Sequence, residues 1–172
     1  MNEPSVFNGP ENTMPKDAYH MLIDGSKIMS KDVKNAYGRM MIEATYEGLL
    51  RRSPGQRPFI LTRSSFFGTQ KYGAKWTGDN QSIFEELSAS IAEIFSLGMA
   101  GIQFVGADIP GFFGNPSDEL YSIFYQLGMF YPFFRAHGHL DMKNREPYKQ
   151  SDKVQTIVRE TINLRYDLIY YM

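Results

Sequence analysis

The stretch RPFILTRSSFFGTQKYGAKWTGDN, residues 57–80, contains two short apolar segments, each followed by polar residues. Residues 58–62 combine aromatic and aliphatic side chains between a proline and a polar loop, which is typical of a buried strand. Residues 74–77 predict a second, shorter strand that ends in Gly-Asp-Asn. Polar side chains at the ends of strands, here Arg63 and Asp79, are typical of α/β folds whose functional residues follow their strands.

Amphipathic helices and a third strand extend this pattern in both directions. Residues 1–30 contain several prolines and glycines and no persistent period, which predicts a long loop. Residues 101–106 predict the third strand, which is followed by Asp108. Ser30 is the expected N-cap of the first helix, and Gly98 is expected just beyond the second. Apolar residues at three- and four-residue spacing predict helices over residues 30–51, 82–97, 117–129 and 152–172.

The alternation of strands and helices predicts an α/β fold of parallel βα units. A (β/α)8 TIM barrel and a doubly wound sheet both place functional residues at the C-terminal ends of their strands. The sequence contains no glycine-rich phosphate loop, which favours the barrel. Because only three strands are predicted, we expect the chain to form only part of such a barrel.

The charge and amino-acid composition of the chain indicate which kinds of ligand it could bind. The net charge of -1 gives no electrostatic basis for binding nucleic acid or an anionic membrane. The absence of cysteine excludes a disulfide framework and a thiolate metal site. Aromatic residues make up 15% of the chain, and many of their rings lie in loops beside Gly, Arg and His. Rings beside polar groups suit the apolar face and polar rim of a sugar.

Three charged residues follow the predicted strands, and each has two interpretations. Asp79 lies near the only tryptophan, Trp76, in surroundings that suit a general acid, but it could also form a turn or cap the following helix. Asp108 could bind a ligand or form an Asx turn. Arg63 could donate hydrogen bonds to sugar hydroxyls or form a salt bridge at the rim.

The segment YPFFRAHGH contains two of the three histidines, His137 and His139. Their spacing invites a metal hypothesis, but no cysteine or further histidine lies nearby, and no metal is expected. A hydrogen bond from His137 to a hydroxyl is favoured over a metal-binding role, and a purely structural histidine remains the alternative.

Several long segments together resemble glycoside hydrolase family 31. MNEPS at 1–5 is similar to the end of the family signature Trp-x-Asp-Met-Asn-Glu-Pro-Ser. Segments 7–20 and 32–41 are similar to the branch of this family that trims glucose from N-glycans in the endoplasmic reticulum. The other family motifs follow in order as RPFILTRSSFFGTQKYGAKWTGDN (57–80), GIQFVGADIPGFFGNP (101–116) and YPFFRAHGHLDMKNREPY (131–148).

The resemblance implies a retaining exo-α-glucosidase on a (β/α)8 barrel. This chain would supply roughly strands 5 to 7 and their helices, so its part of the barrel would be incomplete at both ends. Asp79 matches the general acid/base of the family. The scheme requires no cofactor and no metal. The positions that match the subsite for the terminal glucose are Arg63, Trp76, Asp108, Phe112, Arg135 and His137.

The family nucleophile would fall immediately before Met1. Residues 1–172 are therefore expected to be a partial catalytic barrel domain that begins in the loop after the nucleophile strand and is inactive alone. The alternatives are a non-catalytic carbohydrate-binding form and a truncated gene product. For the full-length protein, the resemblance implies an α-glucoside or glucosylated N-glycan as substrate, a possible regulatory β subunit, and the lumen of the endoplasmic reticulum, although the sequence itself has no signal segment.

Overall fold

A computed structural model describes residues 3, 5–9 and 13–172; Met1, Asn2 and Pro4 of the MNEPS signature and residues 10–12 of the 7–20 segment lie outside it. The chain divides into two compact units, residues 1–74 and 75–172. The helices are α1 (Ser30–Arg52), α2 (Phe84–Met99), α3 (Asp118–Gly128) and α4 (Asp152–Asp167). The strands are β1 (Tyr19–Met21), β2 (Lys27–Met29), β3 (Leu61–Thr62), β4 (Ala74–Trp76) and β5 (Val105–Gly106), and short 3-10 helices cover Thr69–Lys71 and Pro147–Lys149.

The first unit contains a hairpin where the sequence predicted only a loop. Strands β1 and β2 pair in antiparallel register, with Tyr19 opposite Met29. Helix α1 follows directly, so Ser30 is its first residue, and the N-cap is Met29 without a side-chain cap bond. The prediction of Ser30 as N-cap was wrong because the strand runs without a break into the helix.

The core of this unit is small. Ile42 of α1 packs with Ile60 and Tyr72, and the Ala74 amide donates to the Ile60 carbonyl over 2.9 Å. Gly38 brings α1 close to Ser64, since a Cβ at this glycine would collide with the serine side chain.

The second unit is built on parallel strands, as the sequence predicted. Lys75 lies opposite Val105, and Trp76 lies opposite Gly106. Segment 133–137 runs beside β5. The amide of Phe133, its first residue, donates to the Val105 carbonyl over 3.0 Å. Among the described residues the strands form no closed barrel, which agrees with the expectation of a partial one.

Helices cover these strands. Ser117 caps α3 by accepting a hydrogen bond from the Leu120 amide over 3.2 Å, which satisfies one free N–H of the first turn. Gly98 lies inside α2, so its predicted place beyond the helix was wrong; Gly101, with φ of 87°, is the left-handed residue after it. The core of this unit consists of Leu87, Ala107, Ile109, Leu120, Tyr121, Phe124, Tyr125, Tyr131, Val154 and Val158.

Three further boundaries differ from the predictions. The strand predicted over 58–62 is confined to Leu61–Thr62. The strand predicted over 101–106 is confined to Val105–Gly106, because the residues before it complete the C-terminal turn of α2, where the Ile102 amide donates to the Leu97 carbonyl over 2.9 Å. The last helix ends at Asp167. No helix in the described part of the chain is long and apolar enough to span a membrane.

Candidate active site

The ends of β4 and β5 bring three of the predicted site residues to one edge of the second unit. Trp76 is the last residue of β4 and is 3% exposed. Asp79 follows three positions later and is exposed, so the described residues do not enclose it as its aromatic surroundings in the sequence suggested. Asp108 lies two positions after β5 and is completely buried.

The segment that carries Arg135 and His137 extends this edge. The Ile109 amide donates to the Arg135 carbonyl over 3.2 Å, and the His137 amide donates to the Ile109 carbonyl over 2.9 Å. Ala136 is therefore the residue paired with Ile109. Because side chains alternate along an extended segment, Arg135 and His137 point to the same side.

Asp108 and Arg135 form a close ion pair. Nη2 of Arg135 lies 2.6 Å from Oδ1 of Asp108. Only 1% of the Asp108 side chain and 21% of the Arg135 side chain are exposed. The guanidinium carbon also lies 5.7 Å from the centre of the Trp76 ring, within the range of a cation–π contact. The pair fixes the orientation of the carboxylate at the end of β5.

Two polar atoms beside this ion pair are buried without a hydrogen-bond partner among the described residues. They are Oδ2 of Asp108 and Nε1 of Trp76. Buried polar atoms are nearly always hydrogen-bonded in folded proteins. A carboxylate oxygen accepts and an indole N–H donates, so together they suit a ligand that carries several hydroxyl groups.

Burial also shifts the pKa values of Asp108 and His137. Desolvation raises the pKa of Asp108, and the hydrogen bond and positive charge of Arg135 act in the opposite direction. Desolvation lowers the pKa of His137, against the attraction of the Asp108 charge. The charge of Asp79 acts on both groups. His137 is thus favoured in its neutral form, in which one ring nitrogen donates and the other accepts.

Phe112 completes the group at the tip of the loop after β5. The centre of its ring lies 5.5 Å from that of His137, and the two planes are inclined by 31°. Gly111 precedes it with φ of 103°, a left-handed conformation that favours glycine. The second unit therefore brings together six predicted residues: Trp76, Asp79, Asp108, Phe112, Arg135 and His137.

The structure also bears on the alternative interpretations of the two aspartates. Helix α2 has Ile83 as its N-cap and no side-chain cap bond, so Asp79 does not cap it. The Asp108 side chain binds Arg135, and the residue two positions on is Pro110, which has no N–H for an Asx turn.

Arg63 belongs to the first unit. Its Nη1 is 2.9 Å from Oε1 of Glu3, which matches the salt-bridge interpretation. Its role in binding sugar stays a prediction.

His139 contributes to the surroundings of Phe112. Its amide donates to the Phe112 carbonyl over 3.0 Å, and its Nδ1 lies 3.3 Å from the Asp141 carboxylate. Within the described ranges, no group of three or more His, Cys, Asp or Glu side chains is arranged to hold a metal ion.

Two residues that were not among the predicted site residues hold the loop after β5. Arg145 donates to Ser82 Oγ over 3.3 Å and to the Phe112 carbonyl over 3.4 Å. Asn80 binds both ends of the segment from Asp108 to Phe112 through its side chain. The position of Asn80 directly after Asp79 was equally compatible with an ordinary turn.

The whole chain, residues 1–172, matches the family model described as "Glycosyl hydrolases family 31 TIM-barrel domain". The chain belongs to glycoside hydrolase family 31. It is 51% identical over 172 residues to the probable glucan 1,3-alpha-glucosidase of Arabidopsis thaliana, covering 99% of this chain and 18% of that protein. It is 46% identical over 170 residues to the Glucosidase 2 subunit alpha of Schizosaccharomyces pombe, covering 98% of this chain and 18% of that protein.

Solved structures of this family have the same fold. A crystal structure of a glucosidase II alpha subunit in a Glc1Man2-bound form superposes with a TM-score of 0.90 at 51% identity, covering 98% of this chain and 18% of that one. A family 31 alpha-glucosidase from Bacteroides thetaiotaomicron superposes with a TM-score of 0.77 at 43% identity, covering 84% of this chain and 25% of that one. The chain thus spans about a fifth of the length of the first two relatives and matches the TIM-barrel domain of the family.

Proposed function

We propose that this chain is the part of a retaining α-glucosidase barrel that binds a terminal α-linked glucose and protonates its leaving group. The observation that carries the proposal is the buried Asp108–Arg135 pair beside the indole N–H of Trp76, which leaves a carboxylate oxygen and a donor for sugar hydroxyls. Asp79 follows the adjacent strand, where its charge acts on Asp108 and His137.

Asp79 is the proposed general acid and base. In the first step it donates its proton to the glycosidic oxygen, while a second carboxylate attacks the anomeric carbon and the aglycone leaves as an alcohol. In the second step the Asp79 carboxylate takes a proton from water, and that water attacks the anomeric carbon and releases the nucleophile. Retaining enzymes need the two carboxyl groups about 5–5.5 Å apart.

The side chains around Asp108 hold the glucose during these steps. Asp108 accepts from sugar hydroxyls through Oδ2, neutral His137 donates or accepts, and Arg135 keeps the carboxylate oriented. Contacts that strengthen as the ring flattens towards the transition state accelerate the reaction, whereas uniform binding does not. Phe112 and Trp76 supply apolar surface for the ring.

The finer proposals rest on the similarity to the family. The strands correspond roughly to strands 5 to 7 of the barrel, and Arg63 joins the glucose subsite. The nucleophile is the aspartate of the Trp-x-Asp signature, which would precede Met1, so the 172 residues alone are proposed to be inactive. Some relatives are glucosidase II α subunits, and one solved complex pairs such a subunit with the binding domain of a regulatory subunit. We extend to the full-length protein the N-glycan substrate, a regulatory subunit and the lumen of the endoplasmic reticulum.

The test uses a chimera, defined as the S. pombe Glucosidase 2 subunit alpha with its 170 aligned residues replaced by this chain. We expect the chimera to hydrolyse an aryl α-glucoside and Asp79→Asn to lower kcat by about 10²- to 10⁴-fold, the usual contribution of a general acid. The exposed Asp167→Asn is the matched control. A folded chimera with no turnover, or full activity in Asp79→Asn, would contradict the proposal.

The isolated chain distinguishes the non-catalytic alternative. Asp108, Trp76, Arg135 and His137 all lie in the second unit, so glucose binding does not depend on the nucleophile. If the chimera is inactive but glucose protects the single tryptophan of the isolated chain, Trp76, from fluorescence quenching, the binding interpretation replaces the enzymatic one.

A further inference from the structure

Asn80, directly after the proposed acid, bonds to both ends of the loop that carries the glucose-binding side chains. Its Nδ2 donates to the Asp108 carbonyl over 3.0 Å, and its Oδ1 accepts from the Phe112 amide over 3.2 Å. Its own carbonyl accepts from the amides of Phe112 over 2.6 Å and of Phe113 over 3.0 Å. A single residue thereby bridges the end of β4 and the segment from Asp108 to Phe113.

The backbones on the two sides of this bridge are in close contact. The Gly111 amide donates to the Asp108 carbonyl over 2.8 Å, so this carbonyl accepts from both Gly111 and Asn80. A Cβ at Gly111 would lie 2.6 Å from the Ser82 nitrogen, so no side chain fits between the loop and the segment after Asn80. The loop cannot shift without moving the residues that follow Asp79.

We propose that Asn80 is a positioning residue that couples the general acid to the glucose-binding loop. The inference rests on the proposed function, since it concerns the distance between Asp79 and the sugar that Asp108 and Phe112 hold. A proton donor must meet the glycosidic oxygen at hydrogen-bond distance, and a displacement of about 1 Å costs about 10²-fold in rate. Asn80 sets that distance from both sides.

Two substitutions of Asn80 test this role. Asn80→Ala removes both side-chain bonds and leaves the backbone bonds to Phe112 and Phe113. Asn80→Asp keeps the shape and the Oδ1 acceptor but turns a second oxygen towards the Asp108 carbonyl, where a donor had been. The control is Gln81→Ala, the exposed neighbouring amide.

The experiment measures kcat/KM of the chimera with two α-glucosides, one with a nitrophenol leaving group and one with a sugar leaving group. The sugar needs full protonation as it departs, whereas nitrophenolate leaves with little help. We expect Asn80→Ala and Asn80→Asp to lower kcat/KM for the sugar aglycone by about 10- to 100-fold and by much less for nitrophenol. Gln81→Ala should stay within about twofold for both. Equal losses on the two substrates, or no loss relative to Gln81→Ala, would overturn the coupling.

A second measurement reports on the loop whether or not the chimera turns over. Hydrogen exchange of a peptide that covers residues 108–114 should become faster in Asn80→Ala and stay unchanged in Gln81→Ala. If the parent chimera is inactive, the proposed function fails while faster exchange still supports the role of Asn80 in holding the loop. Unchanged exchange in Asn80→Ala would overturn that role by itself.

Discussion

Replacing Asp108 by asparagine removes one charge from the centre of the site and changes almost no volume. Its carboxylate is 2.6 Å from Arg135 with 1% of its side chain exposed, so Arg135 would keep a largely buried charge without its counter-ion. Removing one partner of a buried ion pair costs about 3–5 kcal/mol, and the 21% exposure of the Arg135 side chain puts this case near the lower end. The proposed charge-assisted bond from Oδ2 to a sugar hydroxyl would be lost as well, at about 1.5–3 kcal/mol.

The second of these losses is measured directly as kcat/KM. A loss of about 1.5–3 kcal/mol corresponds to a decrease of about 10- to 150-fold for an aryl α-glucoside. The assay compares the chimera with Asp108→Asn and with Asp167→Asn, an exposed change at the end of α4, after thermal unfolding has established that each variant is folded. If folded Asp108→Asn retains kcat/KM within about threefold of the parent, Asp108 does not bind the transition state and the assignment of the subsite is wrong.

Three further changes test the titration and packing of the second unit. Burial lowers the pKa of His137, so the folded state holds its proton less tightly than the unfolded chain, and stability is lost as pH falls from about 6.5 through the lowered pKa. His137→Gln should make the unfolding temperature less dependent on pH between about 7 and 5, and parallel curves would contradict this. Ser117→Ala removes the cap bond to Leu120 and should lower the unfolding free energy by about 1 kcal/mol. The control is Ser88→Ala, a change at an exposed serine, and equal denaturation midpoints for the two variants would contradict the prediction. Tyr121→Phe removes a 2.6 Å bond from the hydroxyl to the Arg145 carbonyl and should cost about 1 kcal/mol in the same denaturation assay; an unchanged midpoint would mean that the bond contributes nothing.

Most elements of the second unit were predicted correctly, because the sequence patterns that indicate them lie within single helices and strands. Apolar periods predicted α2 and α3 to within two residues, since each helix buries one continuous face. The polar residues after β4 and β5 were expected at one edge because parallel strands end together. Asp108 lies there, paired with the Arg135 guanidinium, which contacts the indole of Trp76. Three details of this unit were missed: the short length of β5, the place of Gly98 inside α2, and the end of α4 at Asp167.

The features that the sequence did not predict depend on contacts between distant residues. Strands β1 and β2 have three residues each, too few for a recognisable alternation. Gly38 is buried in α1 because of Ser64, a close approach that no apolar period records. In the sequence Asn80 is typical of a turn residue. Its role depends on a contact with the loop that begins at Asp108, 28 positions later in the chain.

The most direct test of the central claim is azide rescue of Asp79→Ala in the chimera. An acid/base variant still forms the glycosyl-enzyme from a substrate with a nitrophenol leaving group, but water then lacks its base. Azide needs no deprotonation, so it should restore turnover and give α-glucosyl azide, the retained anomer, as identified by NMR. No rescue, or the β-glucosyl azide, would contradict the assignment of Asp79 as the acid/base of a retaining reaction.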